Sequence, residues 1–283
     1  MAERATAGHP ATGPLLLRQL RNQNKLFLRN PFSAFFSLAF PLMFLLLFGS
    51  LNGSQRLPEL GGIRYAQFLT PGLLAFAVCS TCYTGLTTSV AMSRDMGILK
   101  RVRGTPLPTW VYVAARILSS VWFSVVSAVL MVGAGVLLFH VRIIWRMLPA
   151  ALVTVLLGAA CFCALSMAVA SLIANGEAAP IVANFTFLPV AFVSDVFFPM
   201  AGAPQWLKSV GGFFPVKHFA LALEDTFSPF KGGAGFDWNH LGVLLAWGAV
   251  GLFVAVRRFR WEPRTSEPIS GRGGRGLAGR AAR

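Results

Sequence analysis

The stretch Arg94-Asp95-Met96-Gly97-Ile98-Leu99-Lys100-Arg101-Val102-Arg103-Gly104-Thr105-Pro106 sets a knot of charge between two long apolar runs. A charge at mid-membrane costs roughly 3 kcal/mol, so this stretch is a wetted loop and the runs on either side are membrane spans. Its excess of Lys and Arg assigns it to the cytoplasmic side. The rest of the chain agrees: 55% of residues are hydrophobic and 12% charged, where soluble domains carry roughly 25% charged. The mean hydropathy is +0.63. The fold class that follows is an all-α, polytopic membrane protein.

Hydropathy places six spans, at about Phe32 to Leu51, Gln67 to Ser93, Ile117 to Phe139, Leu148 to Ala174, Pro180 to Pro199 and Leu241 to Val256, the last being short. The first run begins too late for a secretory signal and is expected to remain as an anchor. Upstream, helical spacing from Leu15 to Arg29 aligns Arg18, Arg21, Lys25 and Arg29 on one stripe, with Leu16, Leu20 and Phe27 opposite. This predicts an amphipathic helix on the inner membrane surface, although Gln23 and Asn24 fall on or near its apolar side. Met200 to Trp238, rich in Gly and Pro yet half apolar, predicts short re-entrant or interfacial helices.

The net charge of +15 lies at the ends of spans rather than on one folded face, which argues for topology and against nucleic acid. With the N-terminus inside, eighteen Lys and Arg fall on cytoplasmic segments and seven outside, so both termini are expected in the cytoplasm. The organisation is then a cytoplasmic tail and interfacial helix over 1–31, a transmembrane domain over 32–258, and a basic cytoplasmic tail over 259–283 expected to be disordered.

No catalytic constellation stands out among ten carboxylates, and no G-x-x-x-x-G-K-[ST] loop is present, so the chain is not expected to be an enzyme or to bind ATP itself. Cys79, Cys82, Cys161 and Cys163 lie inside apolar runs and read as packing residues. His9, His140, His218 and His240 are scattered, and no metal site is expected. Asp195 is the single acid within a span. It either pairs with Lys208, Lys217 or backbone N–H groups, or meets substrate or a proton. Thr81, Thr84, Gly85 and Thr88 share a face of span two, serving helix contacts or a substrate path; Thr81, Thr84, Thr88, Asn184 and Asp195 are the candidates for such a path. Phe32, Phe36, Phe40, Phe44 and Phe48 form a ridge around Pro41, which should distort span one; Pro189 should act likewise in span five.

The charged loop running into Leu107-Pro108-Thr109-Trp110 resembles the corresponding loop of the ABC-2 type transporter permeases, within them the daunorubicin-resistance type of drug exporter. Phe197-Phe198-Pro199-Met200, Pro204-Gln205-Trp206-Leu207 and Phe214-Pro215 are similar to that family's segment after span five. The resemblance implies a six-span half-transporter in a bacterial-type inner membrane, forming a homodimer on a cytoplasmic ABC ATPase subunit that holds the ATP and Mg. It also implies that the loop is a coupling helix, with Arg94, Asp95, Gly97, Lys100, Arg101, Arg103, Gly104, Thr105 and Pro106 as its working residues. Met96 stands where members often carry Glu, and Asp95 is the nearest acid. The expected function is outward movement of a hydrophobic or amphipathic compound, a drug-like molecule or a lipid. The alternatives are an ion-coupled secondary transporter and a membrane assembly scaffold.

Overall fold

The computed structural model describes residues 12–29, 35–104, 108–200, 202–230 and 232–258. Within these, four helical runs are long and apolar enough to cross a membrane: Tyr65–Asp95, Trp110–Phe139, Trp145–Leu172 and Trp238–Arg258. Two further apolar helices, Phe40–Asn52 and Gly176–Phe192, are shorter. In chain order the helices are α1 (Thr12–Arg29), α2 (Phe40–Asn52), α3 (Tyr65–Cys79), α4 (Leu86–Asp95), α5 (Ile98–Arg103), α6 (Thr109–Phe139), α7 (Leu148–Leu172), α8 (Ala179–Phe192), α9 (Gln205–Phe213), α10 (Pro215–Phe227) and α11 (Trp238–Arg258). A two-stranded hairpin, β1 (Arg56–Leu57) and β2 (Ile63–Arg64), joins α2 to α3 with Arg56 opposite Arg64. Residues 1–11, 30–34 and 259–283, including Phe32 and both predicted tails, lie outside the described residues.

The α3–α4 run is the pillar of the bundle. Its apolar window is 72% buried, against 22% for α11, because α2, α6, α7 and α10 all pack around it. The run is joined by a π-turn, Ser80–Gly85, and a second π-turn, Phe35–Ala39, leads into α2. The latter stands just before Pro41, whose missing N–H removes one i→i−4 bond and favours a widened turn. The distortion expected at Pro41 is thus present. Three of the ridge residues face protein: Phe40 lies 6.0 Å from Phe76, Phe44 5.7 Å from Phe197 and Phe48 6.1 Å from Phe198.

Three boundaries differ from the hydropathy reading. Helix α6 begins at Thr109, so Arg116 belongs to a span and not to the basic loop; a run of helix formers can extend beyond the apolar window that hydropathy detects. Helix α8 stops at Phe192 rather than Pro199, and Asp195 follows in a left-handed conformation (φ 57). Its broken backbone packs inside the protein, where Val196 O would lie 2.3 Å from a Cβ added at Gly72. Irregular backbone at such depth is tolerated only where protein covers it. Finally, α11 has 21 residues and is long and apolar enough to cross a membrane.

Helices α9 and α10 are the short helices expected from composition, where re-entrant and interfacial placements were both open. At their junction, Trp247 Nε1 donates to Phe213 O at 3.1 Å, and Trp247 lies about 14 Å along α11 from its start at 1.5 Å per residue. At the other end of α10, Phe227 O accepts from Gln67 Nε2 at 2.8 Å, close to the start of α3. The pair therefore dips into the bundle and returns. Phe219 fills the space at Gly158 of α7, where an added Cβ would meet its ring at 2.3 Å.

Candidate functional site

At the end of α4 the chain turns through Gly97, whose φ of 68 favours glycine, into the six-residue α5. Leu99 is buried and shares an apolar pocket with Val90, Tyr112, Val113 and Met167, which fastens α5 to the bundle. Lys100, Arg101 and Gly104 face outward. Thr105 and Pro106 lie outside the described residues, as does the side chain of Arg103.

Arg94 and Asp95 do something different. Arg94 is 1% exposed, and its Nη1 donates to Ala170 O at 2.9 Å while Nη2 donates to Ile173 O. These carbonyls close the C-terminal turn of α7, where a cation is favoured by the helix dipole. Asp95 Oδ2 accepts from Gly176 N at 3.1 Å, at the start of the turn leading to α8. The two adjacent residues therefore lock the end of α4 to the α7–α8 corner. Their partners lie 76 to 81 positions away in sequence.

Helix α1 lies against α6 instead of on the membrane surface alone. Phe27 stacks on Phe123 with ring centroids 4.0 Å apart, Ser119 Oγ donates to Asn24 Oδ1 at 2.6 Å, and Gln23 is buried. Gln23 and Asn24, the two misfits of the amphipathic pattern, are the residues that dock. Arg18, Arg21, Lys25 and Arg29 remain exposed on the other side.

Between α1, the α3–α4 run and α6 is a cavity of about 590 Å³ with a mixed polar lining. Thr81 and Thr88 line it; Thr84 does not. The π-turn explains the loss, because i→i+5 bonding widens the turn and rotates Thr84 off the face that a regular helix would give it. Thr84 Oγ1 is buried with no hydrogen-bond partner. Asn184 is elsewhere, donating to Pro180 O in its own helix at 2.8 Å. A larger apolar groove, about 740 Å³, runs between α6, α7 and α11, with Ile117, Leu157, Ala164 and Leu252 on its walls.

At the opposite end, Asp195 pairs with Lys217 Nζ at 3.1 Å and accepts from Met200 N at 2.7 Å. The Lys217 pair and the backbone contact are among the partners the sequence offered for Asp195. Sequence reading missed Glu224, a second acid in this interior, whose Oε1 is buried without a hydrogen-bond partner. Its signal was the seven-residue spacing from Lys217, which puts both on one face of a helix. The histidines are not all scattered either: His218 Nε2 donates to Gly212 O at 2.9 Å, so its Nδ1 accepts from His240 Nδ1–H at 2.9 Å. Ligand atoms of Asp225, Asp237 and His240 lie within 4.8 Å of one another, a grouping made by the return of α10 beside α11. The four cysteines are free and buried, as read.

Long apolar helices around a buried pillar, a re-entrant helix pair at one end and a short basic helix between two spans at the other define a helical, multi-pass membrane protein with internal cavities. The chain matches the ABC-2 type transporter family over residues 15–227 and belongs to it. It is a transport permease of that family. It is 23% identical over 236 residues to a Bacillus subtilis (strain 168) protein named as a transport permease, YvfS, covering 82% of this chain and 92% of that one. To an Escherichia coli (strain K12) protein named as an inner membrane transport permease, YadH, it is 21% identical, covering 71% and 72%. A third, named as a multidrug ABC transporter permease, YbhR, from the same organism, is 22% identical over 69% of this chain and 53% of its own length.

Proposed function

We propose that the chain is the membrane subunit of an ATP-driven exporter, working as a homodimer on cytoplasmic ATPase subunits and moving a hydrophobic or amphipathic compound outward across a bacterial inner membrane. The observation that carries this reading is α5: a short basic helix, exposed through Lys100 and Arg101, anchored through Leu99 and joined to a corner clamped by Arg94 and Asp95. A push on such an element is delivered to α4, α7 and α8 together instead of being lost in loop motion. Arg101, Lys100 and Gly104 are then the contact surface for the ATPase, and Arg94 and Asp95 the rigid linkage behind it; Gly97, Arg103, Thr105 and Pro106 complete the loop. ATP and Mg are held by the partner.

In this reading α2 and α8 also span, giving six spans, and the end bearing α1 and α5 faces the cytoplasm, the side to which basic residues are biased. Exposed apolar residues of α2 and α8, such as Leu47, Leu51, Ile181 and Phe185, supply the face for the second copy. YbhR's name favours drug-like passengers, and the apolar groove suits a hydrophobic one. The ion-coupled alternative draws on one observation, the buried Glu224 beside the Asp195–Lys217 pair.

The test is ATP-dependent uptake of amphipathic compounds into inverted vesicles, with this chain expressed alone and with an ABC ATPase subunit. Uptake that needs both proteins is the expected result. Uptake by this chain alone under an ion gradient, abolished by Glu224→Gln, would overturn it in favour of the carrier reading.

A further inference from the structure

The cavity beneath α1 holds one buried cation and no acid among the residues that line it. Arg116 is 7% exposed. Its Nη1 donates to Ser89 O at 2.8 Å, its Nη2 to Ser93 Oγ at 2.6 Å, and its guanidinium lies 4.9 Å from the Tyr112 ring centroid. These partners are neutral, and Nε is buried with no acceptor at all. A guanidinium withdrawn from water and met only by neutral acceptors keeps an uncompensated charge, which is unfavourable until an anion joins it.

The surroundings specify the anion further. Asn22, Gln23, Thr88, Ser89, Ser119 and Ser120 offer hydrogen-bonding groups around Arg116, whereas Leu26, Phe27, Met92 and Met96 make the remainder of the wall apolar. The volume, about 590 Å³, falls in the range of small-molecule sites. Helix α1, which roofs the cavity, presents Arg18, Arg21, Lys25 and Arg29 on its exposed side together with exposed Leu17 and Leu28. A basic amphipathic face of that kind gathers anionic headgroups at a membrane surface.

We infer that this cavity is a binding site for the anionic head of a membrane amphiphile, with Arg116 as the charge that receives a phosphate or carboxylate and the apolar wall as the path by which the tail leaves. The basic stripe of α1 concentrates such molecules outside, and the cavity selects one. The inference does not rest on ATP-driven export.

The experiment is native mass spectrometry of the full chain in neutral detergent, titrated with dioctanoyl phosphatidylglycerol, dioctanoyl phosphatidylcholine or inorganic phosphate. One phosphatidylglycerol per chain is expected to bind at least tenfold more tightly than phosphatidylcholine, and equimolar inorganic phosphate should not displace it. Arg116→Gln should weaken that binding tenfold or more, Arg116→Lys should restore part of it, and Ser120→Phe, which fills the cavity and leaves Arg116 in place, should abolish it. The double variant Arg18→Gln/Lys25→Gln should retain it. Equal retention of both lipids, binding unchanged in Arg116→Gln and in Ser120→Phe, loss only in the double variant, or displacement by phosphate would each overturn the site. The melting temperature of each variant, compared with the parent, separates lost binding from lost folding.

Discussion

Arg94 and Arg116 are both buried arginines near the same end of the bundle, and their partners give them opposite tasks. Arg94 ties down the carbonyls of Ala170 and Ile173, so replacing it leaves polar backbone buried without donors. Arg94→Met is expected to lower stability by about 2 kcal/mol, since hydrogen bonds from charged donors contribute in that range; melting of the purified protein checks it. Arg116 serves Ser89 O and Ser93 Oγ instead, and Ser89 O also accepts from Ser93 Oγ at 2.7 Å, so Arg116→Gln leaves less polar backbone unmet and should be milder in the same measurement. Asp195 and Lys217 form a partly buried pair, for which a double-mutant cycle with Asp195→Asn and Lys217→Met should show coupling of about 1–3 kcal/mol. In transport, Asp195→Asn is expected to have a modest effect, and abolished transport at normal expression would move the residue into the substrate or proton path.

Among the elements, the broken segment after α8 and the helix α10 each depend on a glycine that admits them. At Gly72 the obstacle to a Cβ is the backbone oxygen of Val196, whereas at Gly158 it is the ring of Phe219. A ring can turn and a backbone held by Tyr65 Oη on Phe197 O at 2.9 Å cannot. Gly72→Ala should therefore cost more than Gly158→Ala, within the roughly 1–3 kcal/mol of overpacking, as read from paired melting curves. Helix α1 shows how an element can be legible in kind and misread in detail. Its charged and apolar stripes were plain, but Gln23 and Asn24 looked like defects until packing on α6 buried the first and supplied Ser119 for the second. A polar residue on an apolar face has no meaning until its partner is known.

For the molecule as a whole, the placement of charge and the burial of every cysteine make topology measurable. The native cysteines are enclosed, so a membrane-impermeant maleimide should leave the parent protein unlabelled. Arg101→Cys should then react only from the cytoplasmic side and Arg64→Cys only from outside; labelling of both from one side would overturn the orientation. Coupling is tested at this scale as well. Arg101→Glu should remove stimulation of the ATPase subunit by substrate while leaving membrane insertion intact, and unchanged stimulation would withdraw the assignment of α5.

Composition and order along the chain determined that this is a helical membrane protein, where its long spans lie, that a basic loop joins two of them and that short re-entrant or interfacial helices follow span five. Those conclusions follow because burial in hydrocarbon is nearly additive residue by residue and charge placement is read segment by segment. Tertiary structure alone decided that Asp95 would meet Gly176, that Arg94 would cap α7, that Glu224 would be enclosed near Asp195 and Lys217, and that the helix after Pro180 would stop at Phe192. It also decided that Arg116 would sit in a cavity roofed by α1. These depend on partners tens of residues away, brought together by packing around the α3–α4 pillar, and a local pattern carries no record of a partner it has not yet met.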